Sequence, residues 1–250
     1  MSAAVLSCLI FALTLGGIAL GALLRTTLPQ HHLSKDSQDV VRLGVGLIAT
    51  IAALVLGLLI AAAKGSFDTQ SGQVKQITAD VILLDALLEQ YGPEALPIRV
   101  ALRGAVGPLA DRLWHEKAAT PGAPFTMNAT GESVYIAIQA LSPRNDLQRS
   151  LQARAAQIST DLAQIRLLLF VESDGAIPAP FIAILAFWLI IIFASFSLFA
   201  ALNVTVFSFL ALFALSASCA IFLILELSQP FTGLLMIPSA QLRNTLGPIG

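Results

Sequence analysis

The chain has 250 residues, of which 56% are hydrophobic and 12% are charged, and its mean hydropathy is +0.82. A soluble domain has roughly twice that charged fraction, about 25%, and a general nucleic-acid binder needs a basic excess, whereas this chain has a net charge of −1. The composition therefore excludes both classes and indicates an integral membrane protein.

Residues 1–63 contain two apolar runs that are each long enough to cross a bilayer, which takes about 20 helical residues. The first run covers residues 5–24, and the second covers residues 43–63 between Arg42 and Lys64. A short polar loop separates them. We interpret the first run as a retained helix rather than a cleaved signal peptide, because it lacks a basic start and a clear small-residue cleavage site.

Residues 64–176 form a predicted helical soluble domain, because ten of the fourteen basic and twelve of the fifteen acidic residues lie there. The region shows no alternation typical of strands. Its apolar residues recur at helical spacings, which favours an intramolecular core over seams between subunits. They form three stripes: Val74, Ile77, Val81, Leu84 and Leu88; Ile98, Leu102, Ala105, Leu109 and Leu113; and Leu147, Leu151, Ala155, Ile158, Leu162, Ile165 and Leu169.

Several residues in this domain predict where its helices begin and end. Gly92-Pro93 predicts the end of one helix and the start of the next, and Pro108 predicts a kink in that second helix or its shortening. Residues 118–131 read as a loop, and a short helix follows over 132–141. Asn145 is a candidate N-cap for a long helix that reaches about residue 170.

Residues 177–228 hold the third and fourth membrane helices. No charge occurs from residue 175 to residue 225, and one helix of that length would measure about 76 Å, far more than one crossing needs. Asn203 is the predicted turn, giving helices near 179–201 and 204–227. The apolar but Pro- and Gly-broken tail, 229–250, is predicted to be a re-entrant or interfacial segment packed against the membrane helices.

Four crossings place both termini and the middle domain on the same side of the membrane. The positive-inside rule compares basic residues near the membrane ends. It finds four on the side of the middle domain and three on the side of the short loop. Charge alone therefore leaves the orientation open.

Residues that could carry chemistry are scarce, so we expect no enzyme, no cofactor and no metal site. The chain lacks the phosphate-binding, zinc-protease and nucleophile-elbow motifs. His31 and His32 lie near Asp36 in the short loop, and these residue types can bind a divalent metal ion. We favour the simpler interpretation that they form a polar loop, which keeps one end of the helical hairpin in water. Cys8 and Cys219 lie inside apolar runs and are predicted to be buried, inert thiols.

The second apolar run has one face made of small residues, and these are the candidate pore-lining residues: Gly46, Thr50, Ala53, Gly57 and Ala61. Such a face permits close packing of helices, and it also suits a pore wall with room for ions or water. In the first run, Gly17 and Gly21 form a GxxxG pattern that predicts helix packing alone.

Glu226 is a carboxylate embedded in an apolar run, where charge is costly and often functional. It closes the fourth predicted helix on the same side of the membrane as Lys64. A Lys64–Glu226 ion pair is one interpretation. Snorkelling of each side chain to the interface is the other.

Several segments in order along the chain resemble a bacterial membrane-protein family called bestrophin-like: Ala63-Lys64-Gly65-Ser66-Phe67-Asp68, Tyr91-Gly92-Pro93-Glu94, Leu141-Ser142-Pro143-Arg144-Asn145, Pro178-Ala179-Pro180-Phe181 and Gln229-Pro230-Phe231-Thr232-Gly233. The layout also resembles that of the bestrophins, which are pentameric ion channels lined by their second helix. The resemblance implies an all-α protein with four transmembrane helices and a helical cytoplasmic domain between helices 2 and 3.

The resemblance further implies a homo-oligomeric ion channel, or channel-like protein, of the bacterial inner membrane. Its partners would be lipid, inorganic ions and further copies of the chain, with a pentamer favoured and no nucleic acid. Both termini and the middle domain would be cytoplasmic. The alternative hypothesis is a non-conducting scaffold or signalling protein whose helix faces serve assembly.

Overall fold

The computed structural model describes residues 2–29, 34–115, 129–172, 177–200 and 203–244. All regular structure in these ranges is helical, which confirms the all-α prediction for this part of the chain. Four of the helices are long and apolar enough to cross a membrane: Ala3–Thr27, Lys35–Tyr91, Ala179–Phe199 and Val204–Leu227. The helices are α1 (Ala3–Thr27), α2 (Lys35–Tyr91), a 3-10 turn (Pro93–Ala95), α3 (Leu96–His115), α4 (Ala129–Gln139), α5 (Asp146–Glu172), α6 (Ala179–Phe199), α7 (Val204–Leu227) and α8 (Ala240–Arg243).

Helix α2 runs for 57 residues and joins the second apolar run to the first stripe of the polar region. It has no proline, and an isolated glycine within a helix costs only about 1 kcal/mol, so nothing in its sequence ends it earlier. It ends before Gly92, whose φ of 123° lies in the region that favours glycine. Pro93 then starts the 3-10 turn, so the predicted Gly92-Pro93 boundary is confirmed.

The described chain divides into two units. Unit 1 comprises residues 1–67 with 176–229, and unit 2 comprises residues 68–175 with 230–250. The membrane boundaries read from hydropathy stay predictions.

In unit 1, α1 packs closely against α6 through its small residues. A Cβ at Gly21 would lie 2.1 Å from the carbonyl oxygen of Ala194, and one at Gly17 would lie 3.0 Å from that of Ile190. Ser197 of α6 donates a hydrogen bond of 2.7 Å to the Ile18 carbonyl. The GxxxG packing prediction for α1 is therefore confirmed.

The turn between α6 and α7 lies at the predicted residue. Asn203 caps α7, because its Oδ1 accepts a hydrogen bond of 2.8 Å from the Val206 amide. The Arg25 guanidinium, at the end of α1, donates to the carbonyl of Ala200 just after α6. These contacts satisfy backbone groups that a helix end leaves open.

The core of unit 2 confirms the stripe of α2, corrects the stripe of α3 and confirms most of the stripe of α5, where Leu151, Ala155, Ile158, Leu162 and Leu169 are buried. The stripe of α2 is fully buried from Val74 to Leu88. On α3 the buried row is Ile98, Leu102, Val106 and Ala110, whereas the predicted Ala105 and Leu109 are half-buried. The buried residues of α3 recur every four positions, as they do along an i, i+4 ridge of a helix. The predicted stripe instead combined steps of four and three residues. Leu113 lies outside the described side chains.

Further corrections concern helix ends and loops in unit 2. Helix α3 continues through Pro108 to His115, so Pro108 does not shorten the helix, and the alternative of a kink stays a prediction. Asn145 does cap α5, since its Oδ1 accepts from the Gln148 amide at 2.8 Å. Leu147 was expected in the core but is 66% exposed, because it lies in the first turn, beside the cap. Most of the predicted 118–131 loop lies outside the described residues.

The C-terminal tail folds onto α3. Phe231 stacks edge-on against Trp114 with ring centroids 5.4 Å apart, and the Trp114 indole N–H donates to the Ile237 carbonyl at 2.8 Å. Arg243 pairs with Asp111. The tail was expected to pack against the membrane helices, whereas these contacts are with α3, where an aromatic ring and a carboxylate offer it partners.

Candidate functional site

One face of α2 is buried in unit 1. Val45 and Ala52 lie in a core cluster with residues of α6 and α7, and Ala63 packs with Ile224 and Leu227 at the end of α7. This face attaches α2 to the other membrane helices. Many other residues of α2 in unit 1 are exposed and can meet lipid, water or another chain.

The five predicted pore-lining residues form an exposed face, which we call the small face: Gly46, Thr50, Ala53, Gly57 and Ala61. A Cβ added at Gly46 or at Gly57 would meet no described atom within 4 Å. The Thr50 hydroxyl donates to the Gly46 carbonyl at 2.9 Å, so its oxygen can still accept outward. Unlike Gly17 and Gly21, these residues do not pack against another helix of the described chain.

A second exposed face of α2, which the sequence reasoning missed, carries large aliphatic side chains. We call it the aliphatic face: Val40, Leu43, Leu47, Ile51, Leu54 and Leu58. With about 100° per residue, its centre lies roughly 80° around the helix from that of the small face. Its spacing of three and four residues was visible in the sequence, but uniform hydropathy over 43–63 hid it.

Glu226 is buried, with 6% of its surface exposed. Ile224 and Leu227, on either side of it in sequence, pack with Ala63, the neighbour of Lys64. Lys64 is exposed, and its ammonium group lies 5.8 Å from the centroid of the Phe67 ring. The ion pair between Lys64 and Glu226 and the snorkelling of these side chains to the interface both stay predictions.

Unit 2 contains a charge cluster around the buried carboxylate of Asp85, which spacing did not reveal. Asp85 accepts hydrogen bonds from Arg99 at 3.0 and 3.1 Å and from Arg103 at 2.9 Å. Burial alone would raise the pKa of Asp85, but these bonds outweigh it and hold the pKa below the ordinary 3.8. The cluster ties α2 to α3, and a carboxylate followed 14 residues later by arginine gives no signal in sequence.

Asp80, a turn and a half earlier on α2, has the opposite environment. Burial raises the pKa of Asp80 above 3.8, and the negative charge of Asp161 adds to the rise. A hydrogen bond of 2.8 Å from Gln76 and the charge of Arg154 act against it. Asp80 therefore destabilises unit 2 when ionised, whereas Asp85 stabilises it.

The described residues include no group of three or more His, Cys, Asp or Glu that could hold a metal ion. His31 and His32 lie outside those residues. Cys8 and Cys219 are free but exposed, so the prediction of buried thiols is wrong. A position inside an apolar run does not predict burial within the protein, because lipid can contact apolar side chains on any face of a membrane helix.

Comparison with known protein families identifies a match over most of the chain. A family profile described as Bestrophin-like domain matches residues 10–242, which cover α2, α6, α7 and most of α1. Neither the curated proteins nor the solved structures give a match. The profile agrees with the resemblance seen in the sequence, and its extent shows that the chain belongs to the bestrophin-like family.

Proposed function

We propose that the protein is a homo-oligomeric ion channel, or channel-like protein, in which α2 lines the path. The observation that carries the proposal is the exposure of the small face: glycine, alanine and threonine residues at helical spacing that no described part of the chain covers. A small side chain leaves room for a hydrated ion, and the Thr50 oxygen supplies an acceptor.

The two exposed faces of α2 differ in side-chain size, so we expect each of them to meet a different partner. Large aliphatic residues suit contact with lipid or with an adjacent subunit, and the small face suits an axial path shared by several subunits. Family membership supports this division of roles and favours a pentamer. It also favours the bacterial inner membrane, with unit 2 and both termini in the cytoplasm.

The second candidate is a non-conducting scaffold or signalling protein. The aliphatic face favours it, since assembly would need that face and no path. In that case the small face would pack directly against a neighbouring subunit, as Gly17 and Gly21 pack against α6 within the chain.

A matched pair of variants separates these functions. Gly44 and Gly57 both lie on α2, and a Cβ at either would meet no described atom within 4 Å, but Gly44 lies roughly 140° from the centre of the small face. We expect Gly57→Leu to lower ion flux in liposomes, whereas Gly44→Leu leaves it unchanged. Both should keep the oligomer mass of the wild-type protein in mild detergent.

Three outcomes would contradict the channel proposal. A monomeric mass in several mild detergents removes the shared path. Absence of flux with every inorganic ion tested favours the scaffold. Loss of the oligomer in Gly57→Leu, with Gly44→Leu intact, shows that the small face is a packing surface.

A further inference from the structure

The chain just after α7 forms a loop whose base is fixed on α3. The Ile237 amide donates to the Pro230 carbonyl at 2.8 Å, which closes the loop. The ring of Phe231 stacks on Trp114, and the Trp114 indole N–H donates to the carbonyl of Ile237. Phe231 and Ile237 are buried, so both ends of the loop are held in unit 2.

Between these ends, the loop points its largest side chains outward. Leu234, Leu235 and Met236 are 80%, 42% and 58% exposed, and Gly233 precedes them with a φ of 94°. We call residues 233–236 the apolar tip. Single exposed leucines are common, but three consecutive large apolar side chains on a closed loop form a patch of the kind that marks an interaction site.

The position of the loop in the chain indicates a lipid surface as its partner. Helix α7 ends at Leu227, and Pro230 follows three residues later. An extended chain covers at most about 3.6 Å per residue, so the loop begins within about 11 Å of the end of a helix that can span the membrane. The headgroup layer extends roughly 5–8 Å beyond the hydrocarbon core.

The charge and composition of the tail agree with this partner. Residues 227–250 contain no Asp or Glu, and Arg243 is their one charged residue, so the tail does not repel anionic headgroups. Trp114, which holds the base of the loop, belongs to a residue type enriched at membrane interfaces.

We propose that the apolar tip inserts into the boundary between headgroups and acyl chains of the leaflet at which α7 ends. Insertion would remove Leu234, Leu235 and Met236 from water without breaking any contact at the base of the loop. It would also fasten α3 to the bilayer surface, because Trp114 connects the loop to that helix.

The test measures lipid contact directly in the full-length protein. In a Cys8→Ala, Cys219→Ala background, Leu234→Cys carries an environment-sensitive fluorophore. The protein is placed in nanodiscs of phosphatidylethanolamine and phosphatidylglycerol, with nitroxide groups at a shallow acyl position. Leu147→Cys is the control, since Leu147 is also an exposed leucine of unit 2 and lies at the end of α5 opposite the segment that leads to α6.

We expect a blue shift and strong nitroxide quenching at position 234, and neither at position 147. Met236→Asp should reduce the quenching at 234, because a carboxylate disfavours insertion. Water-like emission at 234, or equal quenching at the two positions, overturns the proposal. A blue shift without quenching shows that protein covers the tip, which also overturns it. None of these readouts depends on ion flux or on oligomer mass.

Discussion

Three glycines on α1 allow the packing of unit 1 to be tested with one type of substitution. Gly16, Gly17 and Gly21 lie on the same helix, but they differ in what a methyl group would meet. At Gly16 it would meet nothing within 4 Å, at Gly17 the Ile190 carbonyl oxygen at 3.0 Å, and at Gly21 the Ala194 carbonyl oxygen at 2.1 Å. The same glycine-to-alanine change at the three positions therefore places a methyl group progressively closer to the backbone of α6.

The geometry sets the order of the effects. Gly16→Ala should stabilise the protein by about 0.5–1 kcal/mol, the usual gain of alanine over glycine within a helix. Gly17→Ala should be near neutral, because a small shift of Ile190 relieves the contact. Gly21→Ala must move α1 away from α6 by more than 1 Å to reach ordinary contact, and we expect a loss of about 2–3 kcal/mol. Part of this loss comes from the Ser197 hydrogen bond to Ile18.

The measurement is reversible unfolding of the purified protein in mixed micelles, followed by helical circular dichroism as the denaturing detergent fraction rises. The unfolding midpoint should be highest for Gly16→Ala and lowest for Gly21→Ala. The wild type and Gly17→Ala should have similar midpoints between these two. Equal midpoints for Gly16→Ala and Gly21→Ala would refute the close approach of α1 and α6. A rise in stability for Gly21→Ala would do so more strongly.

The remaining predictions concern charge and orientation. Asp85→Asn should lower stability at pH 7 by about 2–3 kcal/mol, since it removes the buried carboxylate that accepts hydrogen bonds from Arg99 and Arg103. Because the folded pKa of Asp85 is below 3.8, the difference from wild type should shrink only as the pH falls below 3.8. Asp80→Asn should raise the unfolding midpoint at pH 7, and this gain should vanish as the pH falls through the raised folded pKa towards 3.8; a gain that is independent of pH contradicts the assignment. For orientation, cysteines at Thr120 and Ser34 in a cysteine-free background should react with an impermeant reagent in spheroplasts only at position 34, and labelling at 120 would reverse the proposed topology.

Much of the secondary structure was determined by the sequence alone, because its signals are local. The length of an apolar run and the absence of charge define the four helices that are long and apolar enough to cross a membrane. Asn203 and Asn145 cap helices with their own side chains, and Gly92 ends α2 through its own backbone conformation. The α2 stripe from Val74 to Leu88 follows from helical periodicity. Each of these features depends on a few neighbouring residues.

Only the tertiary structure decided which helix faces meet. Glycines spaced four apart occur in α1, and small residues at similar spacing occur in α2, yet Gly17 and Gly21 pack against α6 while Gly46 and Gly57 are exposed. Spacing shows that residues share a face, and it does not show what covers that face. The attachment of the tail to Trp114 and the pairing of Asp85 with two arginines likewise join residues from different helices and loops. Such contacts exist only once the helices have packed, so no local pattern could predict them.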